Sequence, residues 1–189
     1  MIDIISDEAF ERIKLILHGV PGGAEKALYG VISRATSTIR TVSLDGITSV
    51  YDIKKKDVRD GRSTAIKTRT SKVDGGIVGY ITYSGNKIPL HRFGVTSKQG
   101  ATVKARQRRD RPFTRFDNAF IARMRGGRKG IFERESRSRL PVNEFKAVAT
   151  AQMAADSGVL EKVEAAAQET IAKRTEHEIT RILQGYGGR

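Results

Sequence analysis

Cysteine is absent from the chain, which excludes disulfides, thiolate zinc sites and a cysteine nucleophile. Histidine is scarce. His18, His91 and His177 are the only three, and no two stand at the spacing that puts paired metal ligands on one helix face. Each reads as a surface or structurally satisfied histidine. No Gly-x-Ser-x-Gly elbow and no Gly-x-x-x-x-Gly-Lys-Ser/Thr phosphate loop occurs. No stretch approaches 18 uninterrupted apolar residues, so a membrane-spanning helix is not expected. Met1 to Glu8 carries acids where an export signal needs positive charge, and no apolar core follows, so no such signal is expected there. Apolar residues are themselves sparse, at 38% against 30% charged, a balance that points to surface held by partners or to exposed loops.

Positive charge is what the chain has in excess. The formal charge is +14, and the interval from Lys98 to Arg139 holds 14 Lys and Arg against 4 Asp and Glu, a net of +10. Such a balance favours proximity to nucleic acid, an anionic membrane or acidic protein partners. Residues 98–117, with Arg106, Arg108, Arg109, Arg111 and Arg115, show little apolar periodicity and read as a long basic loop or projecting hairpin. Phe113 and Phe116 are interleaved with these arginines, for base stacking or for anchoring the segment to a neighbour. Asp110, Asp117, Glu133 and Glu135 each have an arginine close by and read as local charge partners, not as a carboxylate cluster for divalent metal. No active site and no cofactor are expected.

At 189 residues a single domain over 1–189, alone or with a projecting arm, is expected, without a second independent core. The fold class is α+β, with N-terminal helices and a long C-terminal helix packed on a small, mainly antiparallel sheet. Ser6 is placed to cap a first helix carrying Phe10, Ile13, Ile16 and Leu17, which Gly19 and Pro21-Gly22-Gly23 interrupt. A second helix carries Ala24, Ala27, Leu28, Val31, Ile32, Ala35 and Ile39 at spacings of three and four. Tyr51 to Arg59 reads as one or two basic helical turns, either a phosphate-binding cluster or a solvated face. From Thr64 the period becomes two, and Asp74-Gly75-Gly76 turns a hairpin back through Ile77 to Tyr83. Ile88 to Phe93 is a candidate third strand with Pro89 at its start or on an edge. The apolar stripe Leu160, Val163, Ala167, Ile171, Ile179 and Ile182 predicts a final helix over about 157–184, and the Ala-rich stretch from Val142 to Ala155 is left unassigned.

The most organised stretch is Asn118 to Pro141. Phe120, Ala122 and Met124 fall on one face of a strand and Ile121 and Arg123 on the other; Arg125-Gly126-Gly127-Arg128, followed by Lys129, makes the reversal, and Gly130 to Arg134 returns. Gly126 and Gly127 are placed to supply positive φ. Pro141 restricts Leu140 to extended backbone and donates no amide, so the strand region is expected to stop near it.

The string AFIARMRGGRKGIFERE, the SRLP after it, Ile88 to Gly94 upstream and the Glu/Arg-rich helix around Arg174 to Leu183 together resemble the tailed-phage minor tail protein Z family, the tail-completion proteins. The matching positions are Ile88, Pro89, Phe93, Gly94, Phe120, Ile121, Met124, Gly127, Phe132, Leu140 and Pro141, most of them of a type that determines fold. The resemblance implies a structural virion protein that forms a ring, hexameric by expectation, at the head-proximal end of a tail. There it would sit beside the tail terminator and the head-completion or connector proteins, with phage double-stranded DNA in the channel and no membrane contact. It would be assembled in the host cytoplasm. Arg106, Arg108, Arg109, Arg111, Arg115, Arg125, Arg128 and Lys129 are then the candidate channel-facing or partner-facing residues. Reversing Arg106, Arg108 and Arg109 to Glu is expected to leave the subunit folded and its particles inactive. A free basic nucleic-acid-binding protein is the alternative that the same charge allows.

Overall fold

Apolar residues recur every three or four positions from Ala27 through Val31, Ala35 and Ile39 and continue past them to Leu44 and Ile47, all buried. They make one helix of 28 residues, α2 (Gly23–Val50), preceded by α1 (Asp7–Ile16). The computed structural model describes residues 7–58, 64–73, 76–97, 102–124 and 126–185, so the expected Ser6 cap, the Asp74-Gly75 turn, Lys98 to Ala101 and Arg125 lie outside the described residues. The chain divides into two compact units, and the division falls inside α2, after Ser43, and inside α5 (Ser157–Leu183), after Val159.

The helical unit combines α1, α2 up to Ser43, residues 66–82 and α5 from Leu160. Its core joins Ile13 and Leu17 of the first helical segment to Leu28 and Val31 of α2 and to Ile171, Ile179 and Ile182 of α5. Ile77 packs against this cluster from the hairpin of β1 (Thr64–Val73) and β2 (Gly76–Gly85), which pair as a two-stranded sheet. The expected C-terminal helix is therefore present at its expected place, with Val159, Thr175 and Glu178 also on the buried stripe.

The strand unit contains the last turns of α2, the single turn α3 (Lys55–Val58), six strands and the short helix α4 (Thr150–Ala154). β3 (Gly94–Thr96), β4 (Val103–Arg106) and β5 (Thr114–Phe116) form one antiparallel sheet, with β4 in the middle. β6 (Ala119–Arg123), β7 (Lys129–Arg134) and β8 (Val142–Glu144) form another, in the register Phe120↔Phe132 and Phe132↔Glu144. The class is α+β as expected, with the strands distributed over three small sheets.

Three local expectations are corrected and one is narrowed. Ile88 to Phe93 is not a strand: Leu90–Arg92 is a 3-10 turn, in which Leu90 and Phe93, three apart, share a side and are both buried. Pro89 instead makes an isolated bridge to Lys146, and Ala147 donates to Ile88 O at 2.7 Å. Strand structure does not end at Pro141, since β8 follows at once; a proline before the first residue of a strand leaves every ladder donor in place. Within 98–117 the described residues form the β4–β5 hairpin, the second of the two expected forms, because Val103 and Ala105 alternate with polar residues and are buried. Of the two glycines in the β6–β7 turn, Gly127 and not Gly126 takes positive φ, at 77°.

Candidate functional site

Three stretches of the strand unit, far apart in sequence, converge where α2 ends. Asp52 N donates to Gln107 O at 2.8 Å and Arg109 N to Val50 O at 2.9 Å, while Tyr51 bridges Arg108 in antiparallel fashion. The chain leaving β4 is thus stitched along the exit of α2, and the arginines that follow meet carboxylates there. Arg106 Nε donates to Asp52 Oδ2 at 2.7 Å, and Arg109 reaches Asp52 Oδ1 at 3.4 Å and Thr48 O at 2.9 Å. Arg108 pairs with Asp156 and, at 3.0 Å, with Asp110. Asp156 also accepts from Tyr51 Oη at 3.4 Å and from Gly158 N at 3.2 Å. The guanidinium of Arg106 covers the ring of Phe113 at 4.6 Å, and that of Arg108 covers Tyr51 at 5.4 Å.

This is a latch made of two carboxylates and three arginines. Asp52 and Asp156 are 19% and 14% exposed, so their charges are stabilised mainly by the guanidinium groups that meet them. The electrostatic consequences follow from the geometry. Hydrogen bonds to Asp110 and Asp156 push Arg108 above its ordinary value, and the hydrogen bond from Arg108 holds Asp110 below the usual carboxylate value. Burial, followed by the charge of Asp156, raises the Tyr51 phenol. Gly94 opens β3 beside the latch, and a Cβ there would strike the Asp52 carboxylate and stand 3.2 Å from Arg106 Cγ. That explains a glycine at this position without assigning it contact with a partner.

The candidate basic residues therefore separate into two groups. Arg106, Arg108 and Arg109 are brought together, but toward acids of their own chain. The expectation that reversing these three would leave the fold intact is corrected accordingly: each new carboxylate would face Asp52, Asp156 or Asp110. Arg111 is exposed and carries no ion pair among the described residues. Arg115 is exposed and pairs with Asp117, also exposed. Arg128 reaches Glu144 at 3.6 Å while staying 66% exposed, and Lys129 is exposed beside it. Phe113 and Phe116 are used within the chain, the latter edge-on to Phe145 at 5.1 Å. Asp52 and Asp156, which organise the latch, carry no local motif; their partners lie 54 and 48 residues away.

The family-signature positions separate by burial. Ile88, Phe93 and Phe132 are buried, and Phe120 lies against Phe132 with ring centroids 6.2 Å apart. Met124 is half-buried, whereas Ile121 and Leu140 are exposed, at 37% and 67%. Near this sheet His91 Nδ1 and Glu144 Oε1 are buried without hydrogen-bond partners. Burial, with the charge of Arg92, holds His91 below the ordinary histidine value. Among the described residues no group of three or more His, Asp and Glu stands close enough to hold a metal ion, and no helix is long and apolar enough to cross a membrane.

Compared with protein-family models, residues 7–187 match prophage minor tail protein Z. No curated protein and no solved structure matches the chain.

Proposed function

Because the chain belongs to the prophage minor tail protein Z family, and is thereby a structural protein of a bacteriophage tail, we propose that it completes the tail at the end that meets the head. Copies form a ring of about six beside the tail terminator, the cyclic closure open to identical subunits with head-to-tail contacts. The ring makes the finished tail competent to join a DNA-filled head and lets the DNA pass. Assembly takes place in the host cytoplasm, and the product remains in the virion at the head-tail junction. The observation that carries this reading is the extent of the family match, from residue 7 to residue 187.

Surface complementarity performs the work, without covalent chemistry. Charged rims set the register of neighbours, where electrostatics contributes more to specificity and association rate than to affinity, and repetition around the ring multiplies weak contacts. Arg111, Arg115, Arg128 and Lys129, which the latch leaves exposed, supply contacts to DNA phosphates or to acidic neighbours, nonspecific and salt-dependent if the ligand is DNA. Arg125 belongs to the same basic turn in sequence. The exposed apolar side chains Ile121 and Leu140, both at signature positions, supply contact area to adjoining proteins.

Electron microscopy of a lysate from the parent phage or prophage with this gene deleted, alongside a plaque count, tests the proposal. Heads and tails that both form yet yield no infectious joined particles are the expected result. Fully infectious particles would overturn it and bring forward a free nucleic-acid-binding protein.

A further inference from the structure

Two arginines of the helical unit, Arg34 and Arg174, differ from Arg106, Arg108 and Arg109 of the strand unit in having no ion pair among the described residues. Arg34 of α2 and Arg174 and Arg181 of α5 line an open cleft of about 480 Å³, with Tyr29, Ser33 and His177 around it. Arg181 is held in place: its Nε and a terminal nitrogen reach Glu178 Oε2 at 2.7 and 2.6 Å. Glu178 is 8% exposed, and Gly30 on α2 makes room for it, since a Cβ there would stand 2.9 Å from its carboxyl carbon. Glycine weakens a helix interior, so its presence in α2 has a packing reason here. Arg34 and Arg174 have no ion pair of their own among the described residues. With Arg181 held by Glu178, it is Arg34 and Arg174 that leave the cleft cationic, with hydroxyls and an aromatic ring at its rim. That chemistry suits carboxylates.

Glu161, Glu164 and Glu169, on the N-terminal half of the same helix, are exposed and form no ion pair among the described residues. At 3.6 residues per turn, Arg174, His177 and Arg181 share one ridge, and the three acids stand roughly 110–170° around the helix from it. One chain cannot turn its own acids into its own cleft. A second copy can.

The geometry points to a self-docking surface: the cleft of Arg34, Arg174 and Arg181 receives Glu161, Glu164 and Glu169 of a neighbouring copy. Complementary patches on different faces make a heterologous contact, the kind that closes into rings. The inference rests on the ring reading and names the surface it would use. A floor that already contains Glu178 favours a few carboxylates over a run of phosphates.

Sedimentation velocity at low salt tests it on the full chain, with circular dichroism to verify folding. The wild type is expected to self-associate and to do so less as salt rises. Arg34→Glu with Arg174→Glu, and separately Glu161→Arg with Glu164→Arg and Glu169→Arg, should each weaken association by about tenfold or more. An equimolar mixture of the two reversed chains should restore it, because each reversed patch then meets its opposite. Should the reversed cleft fail to fold, Arg34→Gln with Arg174→Gln gives the same direction with a smaller loss. A wild type that stays monomeric at low salt, or a mixture that restores nothing, overturns the surface and leaves the tail role to the lysate experiment. Unchanged self-association with loss of duplex DNA binding also overturns it, and assigns the cleft to phosphate.

Discussion

The two units of this chain solve the problem of stability with different materials. The helical unit uses apolar stripes, with Ile13, Leu17, Val31, Ile171 and Ile179 in one cluster, and its arginines stay at the surface. The strand unit has several strands of only three or four residues, too short to bury much area each, and it draws arginines inward to tie β4 to the end of α2. The lesson is that local charge density does not report where charge is available. The most basic stretch in sequence contains three arginines that acids of the same chain neutralise, whereas Arg34 and Arg174, in segments of ordinary composition, have no ion pair among the described residues.

The contrast can be broken most forcefully at the latch. Reversing Arg106, Arg108 and Arg109 to Glu together removes the cations that meet Asp52 and Asp156 among the described residues and adds like charge; because these pairs are half-buried, the expected destabilisation is about 3–5 kcal/mol for the three together, the scale of one fully buried pair. Urea denaturation followed by circular dichroism reads this, and an unchanged midpoint would remove the latch from the account. Leu17→Ala probes the other material. Deleting a fully buried leucine should cost about 3 kcal/mol, and the loss should be the same at low and high salt because no charge is involved.

A smaller effect concerns His91. Its folded-state value lies below that of the unfolded chain, so between the two values the unfolded state binds the extra proton and stability falls as pH falls. The unfolding midpoint should therefore decline as pH is lowered through the ordinary histidine range, and His91→Gln should flatten that decline. A profile unaffected by the substitution would show that other groups govern it. The smallest effect is expected where the arginines are free or paired only at the surface: Arg111→Ala or Arg115→Ala should change stability by no more than about 0.5 kcal/mol. If thermal unfolding instead shows losses comparable to those at the latch, the division between structural and available arginines fails.

What was legible in the sequence follows the length of the pattern. α5 carries an apolar stripe over seven turns, and the β6–β7 hairpin alternates cleanly around a Gly-Gly turn, so both could be placed from residues alone. The far end of α2 was less visible, because Ser43 and Thr48 interrupt the apolar pattern, legible only as far as Ile39. In the structure their hydroxyls donate to the carbonyls four residues back, at 2.7 and 3.0 Å, which lets them sit inside a helix. β3, β5 and β8 have three residues each, less than two periods of alternation, and could not be distinguished from loops. The signature hairpin was readable because its signal is contiguous. The latch was not, since Asp52 and Asp156 acquire their role only when segments from three parts of the chain meet.

The core of the helical unit has a consequence for how the protein is made. Ile13 and Leu17 are synthesised long before their partners Ile171, Ile179 and Ile182, which come from α5. A nascent chain on the ribosome cannot close this core until those residues emerge, so until then the apolar face of α2 lacks its α5 cover. A chain stopped before α5 would expose that face, and the cell's proteases and chaperones would meet it as an incomplete product, whatever the state of the strand unit.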